Sequence, residues 1–359
     1  MTPFDVAWQR LNNQFLLSRP FTSPAAVVKA LGAVQAQDYA GAKWALAQRT
    51  KKPSDAAIDA AMSRGEIIRT HLLRPTWHFV AASDLRWMLA LTGPRISARM
   101  KSYNIRLSLD AAAFRRSNDA IARALEGGKQ LTRQELAAEL RRAGTKTSSV
   151  QQLAHLVMQA ELDGVICSGG LRGKQFTYAL IDDRVPPSPA LDRDDAILRL
   201  TRLYFASRSP ATAQDFSWWS GLTVGDAKKG AEMAKLKAVV IDGRQYFTTG
   251  GRVSKPRRQP VAHLLPNYDE FFIGHRDRSA IGARLRKAGS RMPEGSLFWN
   301  VIALDGQLVG GWRRVPKRKG IVIELRLVTP LKSNERKAVA AAADDYARFL
   351  GAGSSVTFI

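Results

Sequence analysis

One local pattern recurs three times along the chain and constrains the fold more than any other feature. In each copy, helical segments of about 10 to 15 residues precede two strand-like runs that are joined by a tight turn. The first pair of runs covers 67–73 and 76–80, with Pro75 in the turn. The third pair turns at Asp242-Gly243, a dipeptide that favours a type I′ hairpin. Helices followed by such a hairpin are typical of winged-helix modules.

The second copy shows the pattern most clearly. Thr132 is followed three residues later by Glu135, which is the spacing of a capping box at the start of a helix. A further helical stretch leads into strand-like runs over 165–180, around a loop that contains glycine and arginine. This order predicts helices that carry a basic wing.

Beyond a basic, proline-containing linker at 251–260, the pattern changes. Strand-like runs follow, with one amphipathic helix near 334–350; the runs are 261–274, 296–315, 320–328 and 354–359. We therefore predict an α+β fold with three tandem winged-helix modules and a β-rich C-terminal domain. The predicted boundaries are 1–108, 109–188 and 189–256 for the modules and 257–359 for the last domain.

Positive charge limits the partners of such a fold. The chain has 55 Lys and Arg against 31 Asp and Glu, a net charge of +24. Cations that neutralise phosphates raise affinity through counterion release, so nucleic acid is the first expected partner and an anionic membrane surface the second. We expect no membrane association, because no apolar run reaches about 18 residues and the N-terminus lacks the features of a signal peptide.

A single cysteine, Cys167, excludes an internal disulfide and a cysteine-rich zinc site, and it fits a reducing cytoplasm. We expect Cys167 to be a small buried hydrophobic side chain. The chain also lacks a Walker A loop, a GxSxG elbow, an HExxH motif and a GxGxxG motif after a strand. We therefore predict no metal site and no cofactor.

One polar pair stands out in this apolar context: Gln35 and Gln37, between two helical segments. In an extended segment, side chains two residues apart point to the same side. Each amide offers a carbonyl acceptor and an NH2 donor, so the pair could hold a water molecule or the edge of a base. The tripeptide alone is weak evidence, and the surrounding sequence must decide.

Five blocks in one order supply that context: VQAQDYAGAKWALAQRT, IIRTHLLRPTWHFVAASDLRWMLALTGPR, DFSWWSGLT, HLLPNYDEFFIGHRDRS and LVGGWRR. Together they resemble the bacterial tandem winged-helix DNA glycosylases that unhook interstrand crosslinks, the azinomycin-resistance branch included. The resemblance extends from about residue 8 to about residue 350. It implies winged helices arranged around duplex DNA and hydrolysis of the N-glycosidic bond of N7-alkylated purines.

In that family a Gln-x-Gln or Gln-x-Asp motif is catalytic, and the resemblance therefore makes Gln35 and Gln37 the expected catalytic residues. Asp38 comes one residue too late for the second form, and we expect it to cap the next helix instead. No lysine at the motif could form a Schiff base, which favours a monofunctional glycosylase. The expected partner is double-stranded DNA with alkylated bases, bound by a monomer in the cytoplasm near the nucleoid.

Several other residues are candidates for DNA contact. His78 lies in the matching TWH block and is expected either to contact the lesion strand or to hydrogen-bond within the hairpin. Phosphate contacts are predicted for Arg74, Arg172 and Lys174 on the first two wings and for Arg313 and Arg314 on a C-terminal β-loop, with an ordinary solvated surface as the alternative.

Two further groups have structural interpretations. Trp218 and Trp219 are predicted to pack in the helical core. The charged side chains of one block are predicted to form a network that supports the core; they are Asp269, Glu270, Arg276, Asp277 and Arg278.

A second class of function stays open at this point. A transcriptional regulator or nucleoid protein could have the same winged helices without any catalysis. An RNA-binding role rests on charge alone. Three modules whose cations contact the phosphate backbone are better suited to a search for lesions than to the recognition of one specific base sequence.

Overall fold

Three stretches of the chain share one order of elements: a helix, a short strand, two helices and a hairpin. The computed structural model describes residues 1–145, 147, 149–250, 258–292, 300–318, 320–351 and 354–359. In the first two stretches, the short strand pairs with the second strand of the hairpin. In the third, a single bridge between Ala211 and Phe247 takes the place of that strand. The predicted helix-and-hairpin repeat is present in the structure.

A helix, α1 (Pro3–Asn13), precedes the first stretch. The first unit consists of α2 (Pro24–Leu31), β1 (Ala33–Gln35), α3 (Tyr39–Ala47), α4 (Asp55–Ser63), β2 (Ile67–Leu72) and β3 (Thr76–Ala81). Its sheet has the order β1-β3-β2. The helix α5 (Ala82–Arg106) follows it.

The second unit has the same sheet order. It consists of α6 (Ala111–Leu125), β4 (Leu131–Thr132), α7 (Arg133–Arg142), α8 (Val150–Leu162), β5 (Ile166–Arg172) and β6 (Gln175–Leu180), followed by α9 (Ile181–Arg184). The third unit consists of α10 (Arg193–Arg208), α11 (Ala213–Ser220), α12 (Val224–Met233), β7 (Lys237–Ile241) and β8 (Arg244–Thr248).

The C-terminal part is a five-stranded sheet with helices. Its elements are β9 (Ala262–Leu265), α13 (Glu270–Ile273), α14 (Ala283–Lys287), β10 (Asn300–Leu304), β11 (Gln307–Lys317), β12 (Gly320–Leu327), α15 (Ser333–Leu350) and β13 (Ser354–Phe358). The strand order is β13-β12-β11-β10-β9, with β13 parallel to β12. The predicted α+β class is confirmed, whereas the domain boundaries stay predictions. The linker expected at 251–260 lies largely outside the described residues.

Local sequence signals explain why these elements begin and turn where they do. Thr132 and Glu135 form the predicted capping box at the start of α7. Asp242 and Gly243 both have positive φ, 49° and 73°, as a type I′ turn requires. The run expected as a strand over 261–274 is wrong in its second half, because Asp269 accepts from the N–H of Phe271 and starts α13.

Two hydrophobic cores place the first unit at the centre of the molecule. One core joins this unit to the C-terminal sheet and includes Trp44 and Trp312. The other joins β2 and β3 to the helices of the third unit and includes Val80 and Tyr204. Cys167 lies buried in this second core, as predicted. No described helix has both the length and the apolar character needed to cross a membrane.

Candidate active site

The two glutamines lie where the sheet of the first unit ends. Gln35 is the last residue of β1 and is paired with His78 of β3. Ala36 continues the pairing by one hydrogen bond, because its N–H donates to the carbonyl of Trp77 at 2.7 Å. The chain then turns into α3. Gln37 therefore stands just beyond the sheet, where the alternation of a strand no longer sets the direction of its side chain.

Gln35 is held through its side chain. The residue is only 5% exposed, and its Oε1 accepts a hydrogen bond from Nη2 of Arg74 at 2.8 Å. A guanidinium is a donor only, so this contact fixes which end of the amide faces Arg74. The carbonyl oxygen points to the arginine, and the NH2 group points away from it.

Arg74 lies at the tip of the first hairpin but is turned inward. It is 9% exposed, and its guanidinium lies 5.3 Å from the ring centre of Trp218. Burial is the main cause of the lowered pKa of Arg74. The structure therefore brings Arg74 together with Gln35, and the predicted phosphate contact of Arg74 stays a prediction.

The backbone of Gln35 is held by a buried ionic cluster. Its N–H donates to Oε1 of Glu270 at 2.8 Å. The other carboxylate oxygen, Oε2, accepts from Nη2 of Arg208 at 2.7 Å and from Nε1 of Trp219 at 2.9 Å. All three partner side chains are fully buried. The end of β1 is thus fixed by residues of the third unit and of the C-terminal part.

Gln37 differs from Gln35 in exposure and in partner. It is an exposed residue, and its Oε1 accepts from the backbone N–H of Trp77 at 3.2 Å. A backbone N–H is again a donor only, so the orientation of this amide is also fixed. One amide is buried and the other is exposed, a difference that a uniformly extended segment does not predict.

Asp38 occupies the N-cap position of α3, as expected, but its side chain makes no capping hydrogen bond. The residue is exposed. The predicted cap is therefore confirmed in position and is wrong in its hydrogen bond.

His78 lies on β3 as the direct cross-strand partner of Gln35. It is 0% exposed, and its Nδ1–H donates to the carbonyl of Thr76 at 2.9 Å. Burial lowers the pKa of His78 to about 3, so the imidazole is neutral near pH 7. The hydrogen bond within the hairpin is present, and contact with DNA stays a prediction.

Burial of neutral histidines predicts that the protein loses stability in mild acid. Burial lowers the pKa of His263 to about 4 and that of His275 well below its usual value, as it does for His78. Unfolded histidines bind protons below about pH 6.5. Unfolding below that pH therefore takes up protons. The free energy of unfolding has its full value above about pH 6.5 and falls as the pH is lowered toward the pKa values of these histidines in the folded protein. We expect a loss of about 1.4 kcal/mol per pH unit for each histidine.

Chemical denaturation at several values between about pH 7.5 and pH 5 measures this slope. The variant His263→Gln is expected to have a shallower slope, since it removes one such histidine. The more exposed His155 serves as a comparison, and His155→Gln is expected to change the slope less. A free energy of unfolding that stays flat over this range would contradict the buried neutral state.

The remaining candidates for DNA contact are at the surface of other units. Arg172 is exposed and donates to the carboxylate of Glu135 at 2.8 Å, and Lys174 is exposed in the turn between β5 and β6. Arg313 and Arg314 are exposed neighbours on β11. Their contacts with phosphate stay predictions.

Sequence reasoning missed two buried arginines that organise the site. Arg49 donates to both carboxylate oxygens of Asp269, at 2.8 and 2.9 Å, and both residues are fully buried. Arg208 holds Glu270 through one oxygen, because its Nε and Nη2 both donate to Oε2, at 3.2 and 2.7 Å. Asp269 and Glu270 form buried charged pairs, as predicted, but their cationic partners are Arg49 and Arg208, which lie far away in the sequence. Asp277 pairs with Arg244 instead, and Arg278 donates to the carbonyl of Phe272. Arg49 lies just after α3 and Arg208 is the last residue of α10, and no local signal distinguishes either from a surface arginine.

The two tryptophans of α11 have different environments. Trp219 is fully buried, as predicted, and donates to Glu270. Trp218 is 41% exposed and lies over Arg74, so its predicted core position is wrong. Consecutive residues of a helix project about 100° apart around its axis, so the two side chains of α11 meet different surroundings.

Groups that could bind a metal ion are absent from the described part of the chain, where no three His, Cys, Asp or Glu side chains cluster suitably. The site is therefore built from two neutral amides, a buried arginine and a buried carboxylate. Such a set can position a polar molecule and can supply hydrogen bonds without a strong base.

Comparisons with known proteins show which family and which fold the chain resembles. The sequence family described as DNA glycosylase AlkZ-like matches residues 28–349. An interstrand DNA cross-link repair glycosylase of Streptomyces sahachiroi is 26% identical over 357 residues, which cover 93% of this chain and 92% of that protein. The solved structure of Streptomyces sahachiroi DNA glycosylase AlkZ superposes with a TM-score of 0.81 at 22% identity, covering 100% of both chains.

Proposed function

Because the chain belongs to the AlkZ-like DNA glycosylase family, we propose that it is a monofunctional glycosylase that hydrolyses the N-glycosidic bond of N7-alkylated purines in duplex DNA. Interstrand crosslinks between such purines are its second proposed substrate class, since a relative is named as a cross-link repair glycosylase. The prediction of a DNA glycosylase is confirmed by the family assignment, which leaves the non-catalytic regulator without support.

The observation that carries this proposal is the fixed orientation of the two amides at the end of β1. Gln35 faces Arg74 and Gln37 faces the N–H of Trp77, each through its carbonyl oxygen. Each oxygen retains a second lone pair that can accept a hydrogen bond from water, and each nitrogen retains its donors. The exposed amide of Gln37 is the one that meets the substrate, and the buried Gln35 supports it.

Neutral amides suffice because the substrate is already activated. Alkylation at N7 places a positive charge on the purine ring. When water attacks C1′ of the sugar, the bond to N9 breaks and its electron pair neutralises that ring, while the water loses a proton to solvent. The protein must then orient the water and stabilise an oxocarbenium-like sugar, which fixed hydrogen-bonding groups do through proximity and electrostatics.

We infer that the three helix-and-hairpin units are winged helices that bind the duplex, and that the protein acts as a monomer. The net charge of +24 supplies the attraction to phosphate. Exposed cations on the second hairpin and on β11 are the proposed phosphate contacts; they are Arg172, Lys174, Arg313 and Arg314. Arg74 and His78 also remain proposed contacts with DNA, and Arg74 in addition holds Gln35 through the hydrogen bond to its Oε1.

A direct excision assay tests the function. The protein is incubated with a duplex that contains one 7-methylguanine and with a duplex crosslinked by a nitrogen mustard. We expect release of the modified base, strand cleavage only after alkali, and separation of the crosslinked strands on a denaturing gel. Undamaged duplex is the control.

Each part of the proposed function can be refuted by one result of this assay. Absence of abasic product from both substrates would refute the excision of N7-alkylated purines. Strand cleavage without alkali would refute the monofunctional mechanism, because a lyase step would then follow excision. Release of 7-methylguanine with intact crosslinks would remove crosslinks from the proposed substrates.

A further inference from the structure

The tip of the first hairpin is enclosed by α5 and by the third unit. Leu73 is 1% exposed, and its backbone N–H donates to Oγ1 of Thr92 on α5 at 3.3 Å. Its carbonyl faces the end of α11, where a Cβ on Gly221 would lie only 2.1 Å from that oxygen. Glycine permits this close approach, and Gly221 also has a positive φ of 73°. The backbone position of the next residue, Arg74, is therefore set by two other elements of the fold.

The guanidinium of Arg74 is restrained by an aromatic ring as well as by Gln35. Its Nη2 donates to Gln35, whereas its Nε is buried and has no hydrogen-bond partner within the described residues. A long arginine side chain has several rotatable bonds, so one hydrogen bond does not hold it in a single rotamer. The ring of Trp218 lies 5.3 Å from the guanidinium, and a cation is attracted to an aromatic face. Trp218 thus favours the rotamer in which Nη2 reaches Gln35.

Trp218 is itself attached to the helix that holds the backbone of Gln35. Its Nε1 donates to the carbonyl of Ile273 at 3.3 Å. Ile273 is the last residue of α13, and Glu270 is the first residue of the same helix. Because Glu270 accepts from the N–H of Gln35, α13 is connected to Gln35 by two routes. One route is direct, and the other runs through Trp218 and Arg74.

The two neighbouring tryptophans of α11 therefore act on different parts of Gln35. Trp219 donates to the carboxylate of Glu270, which binds the backbone of Gln35. We propose that Trp218 is a positioning residue for base excision, which keeps Arg74 on Oε1 of Gln35 and so sets the direction of the Gln35 amide. This inference deepens the proposed function and rests on it for the reaction that is affected.

Loss of this restraint has a specific chemical consequence. A half-turn of the Gln35 amide about its last bond exchanges the carbonyl oxygen with the NH2 group, and thus an acceptor with two donors. With Arg74 in place, only one of the two orientations gives Nη2 an acceptor. Without it, both orientations occur, and a water molecule beside the amide meets the wrong group in part of the protein molecules. Excision then slows although the DNA is still bound.

Substitution of Trp218 tests this role by separating the rate of excision from the affinity for DNA. Trp218→Leu removes the aromatic face at a residue that is 41% exposed, so the fold tolerates the change. We expect single-turnover excision of 7-methylguanine to slow about tenfold and the Kd for duplex DNA to stay within about twofold of the parental value. Trp218→Phe retains an aromatic face but loses the N–H, and its rate should lie between the two.

The matched control is Phe358→Leu. Phe358 is 37% exposed and lies 5.2 Å from the guanidinium of Arg336, which is a similar contact far along the chain on β13. Its substitution should leave the rate unchanged. Equal rates in Trp218→Leu and Phe358→Leu, or a loss in Trp218→Leu that lies entirely in the Kd, would overturn the proposal.

A double-mutant cycle shows whether Trp218 acts through Arg74. Arg74→Met removes the guanidinium and retains a long side chain. If Trp218 serves to position that guanidinium, Trp218→Leu should lower the rate little further in the Arg74→Met protein. Fully additive losses would overturn the proposal, because they would show that Trp218 acts independently of Arg74.

Nuclear magnetic resonance of the side-chain amides tests the same contact without any need for catalysis. The NH2 resonances of Gln35 are assigned by their loss in Gln35→Ala. They are expected to shift in Trp218→Leu and to stay in place in Phe358→Leu. Unchanged resonances in Trp218→Leu would overturn the proposed positioning. A shift in a protein whose parent form excises no base would overturn the proposed function alone.

Discussion

Replacing Gln37 by alanine is expected to slow base excision about 100-fold or more while the melting temperature stays within about 2 °C of that of the parent protein. The amide is exposed, and among the described residues it accepts a hydrogen bond from the N–H of Trp77 alone. Its loss therefore removes a group that orients water and leaves the packing unchanged. Single-turnover excision of 7-methylguanine and thermal unfolding measure the two effects.

Gln35→Ala is expected to lower both activity and stability. It leaves the buried guanidinium of Arg74 without its acceptor, and an unsatisfied buried group costs about 1–3 kcal/mol. Gln151→Ala, at an exposed position of α8, is the matched control and should change neither quantity. Excision at the parental rate by both Gln35→Ala and Gln37→Ala would eliminate the two amides as the catalytic groups.

Replacing Glu270 by alanine is expected to lower the free energy of unfolding by about 3–5 kcal/mol. The substitution leaves Arg208 fully buried without its carboxylate and removes the acceptor of Trp219 and of the Gln35 N–H. Denaturant unfolding measures the loss. Glu270→Gln retains an acceptor oxygen and should lose less stability.

The matched control for this ion pair is one at the surface. Asp194 pairs with Lys229, and both side chains are about half exposed. Asp194→Ala is expected to cost less than about 1 kcal/mol, because water and salt screen exposed pairs. Equal losses in Glu270→Ala and Asp194→Ala would contradict a structural role for the buried pair.

Local signals in the sequence predicted much of the fold. The capping box at Thr132 and the turn at Asp242-Gly243 depend on residues only a few positions apart, and both are present. The 25-residue helix α5 was not expected, because apolar side chains occur on several of its faces and Pro94 lies within it. Prediction of a helix from hydrophobic periodicity depends on a single apolar stripe, and a helix that packs on more than one side lacks such a stripe.

The candidate site was predictable only in its central residues. The Gln-x-Gln segment could be found from sequence, but its two amides differ in exposure because β1 ends at Gln35 and the chain turns into α3. The partners that fix Gln35 come from other units. The pairing of Arg208 with Glu270 depends on tertiary packing. No periodicity or spacing in a single sequence predicts such a long-range contact.

The hydrogen bond between Gln35 and Glu270 spans 235 positions of the chain. On the ribosome, the first unit therefore emerges long before the carboxylate that completes it has been synthesised. A chain that stopped short of α13 would lack both this clamp on the end of β1 and the C-terminal strands that complete the core of the first unit. Late arrival of Glu270 thus ties the finished geometry of the amide pair to synthesis of the C-terminal part.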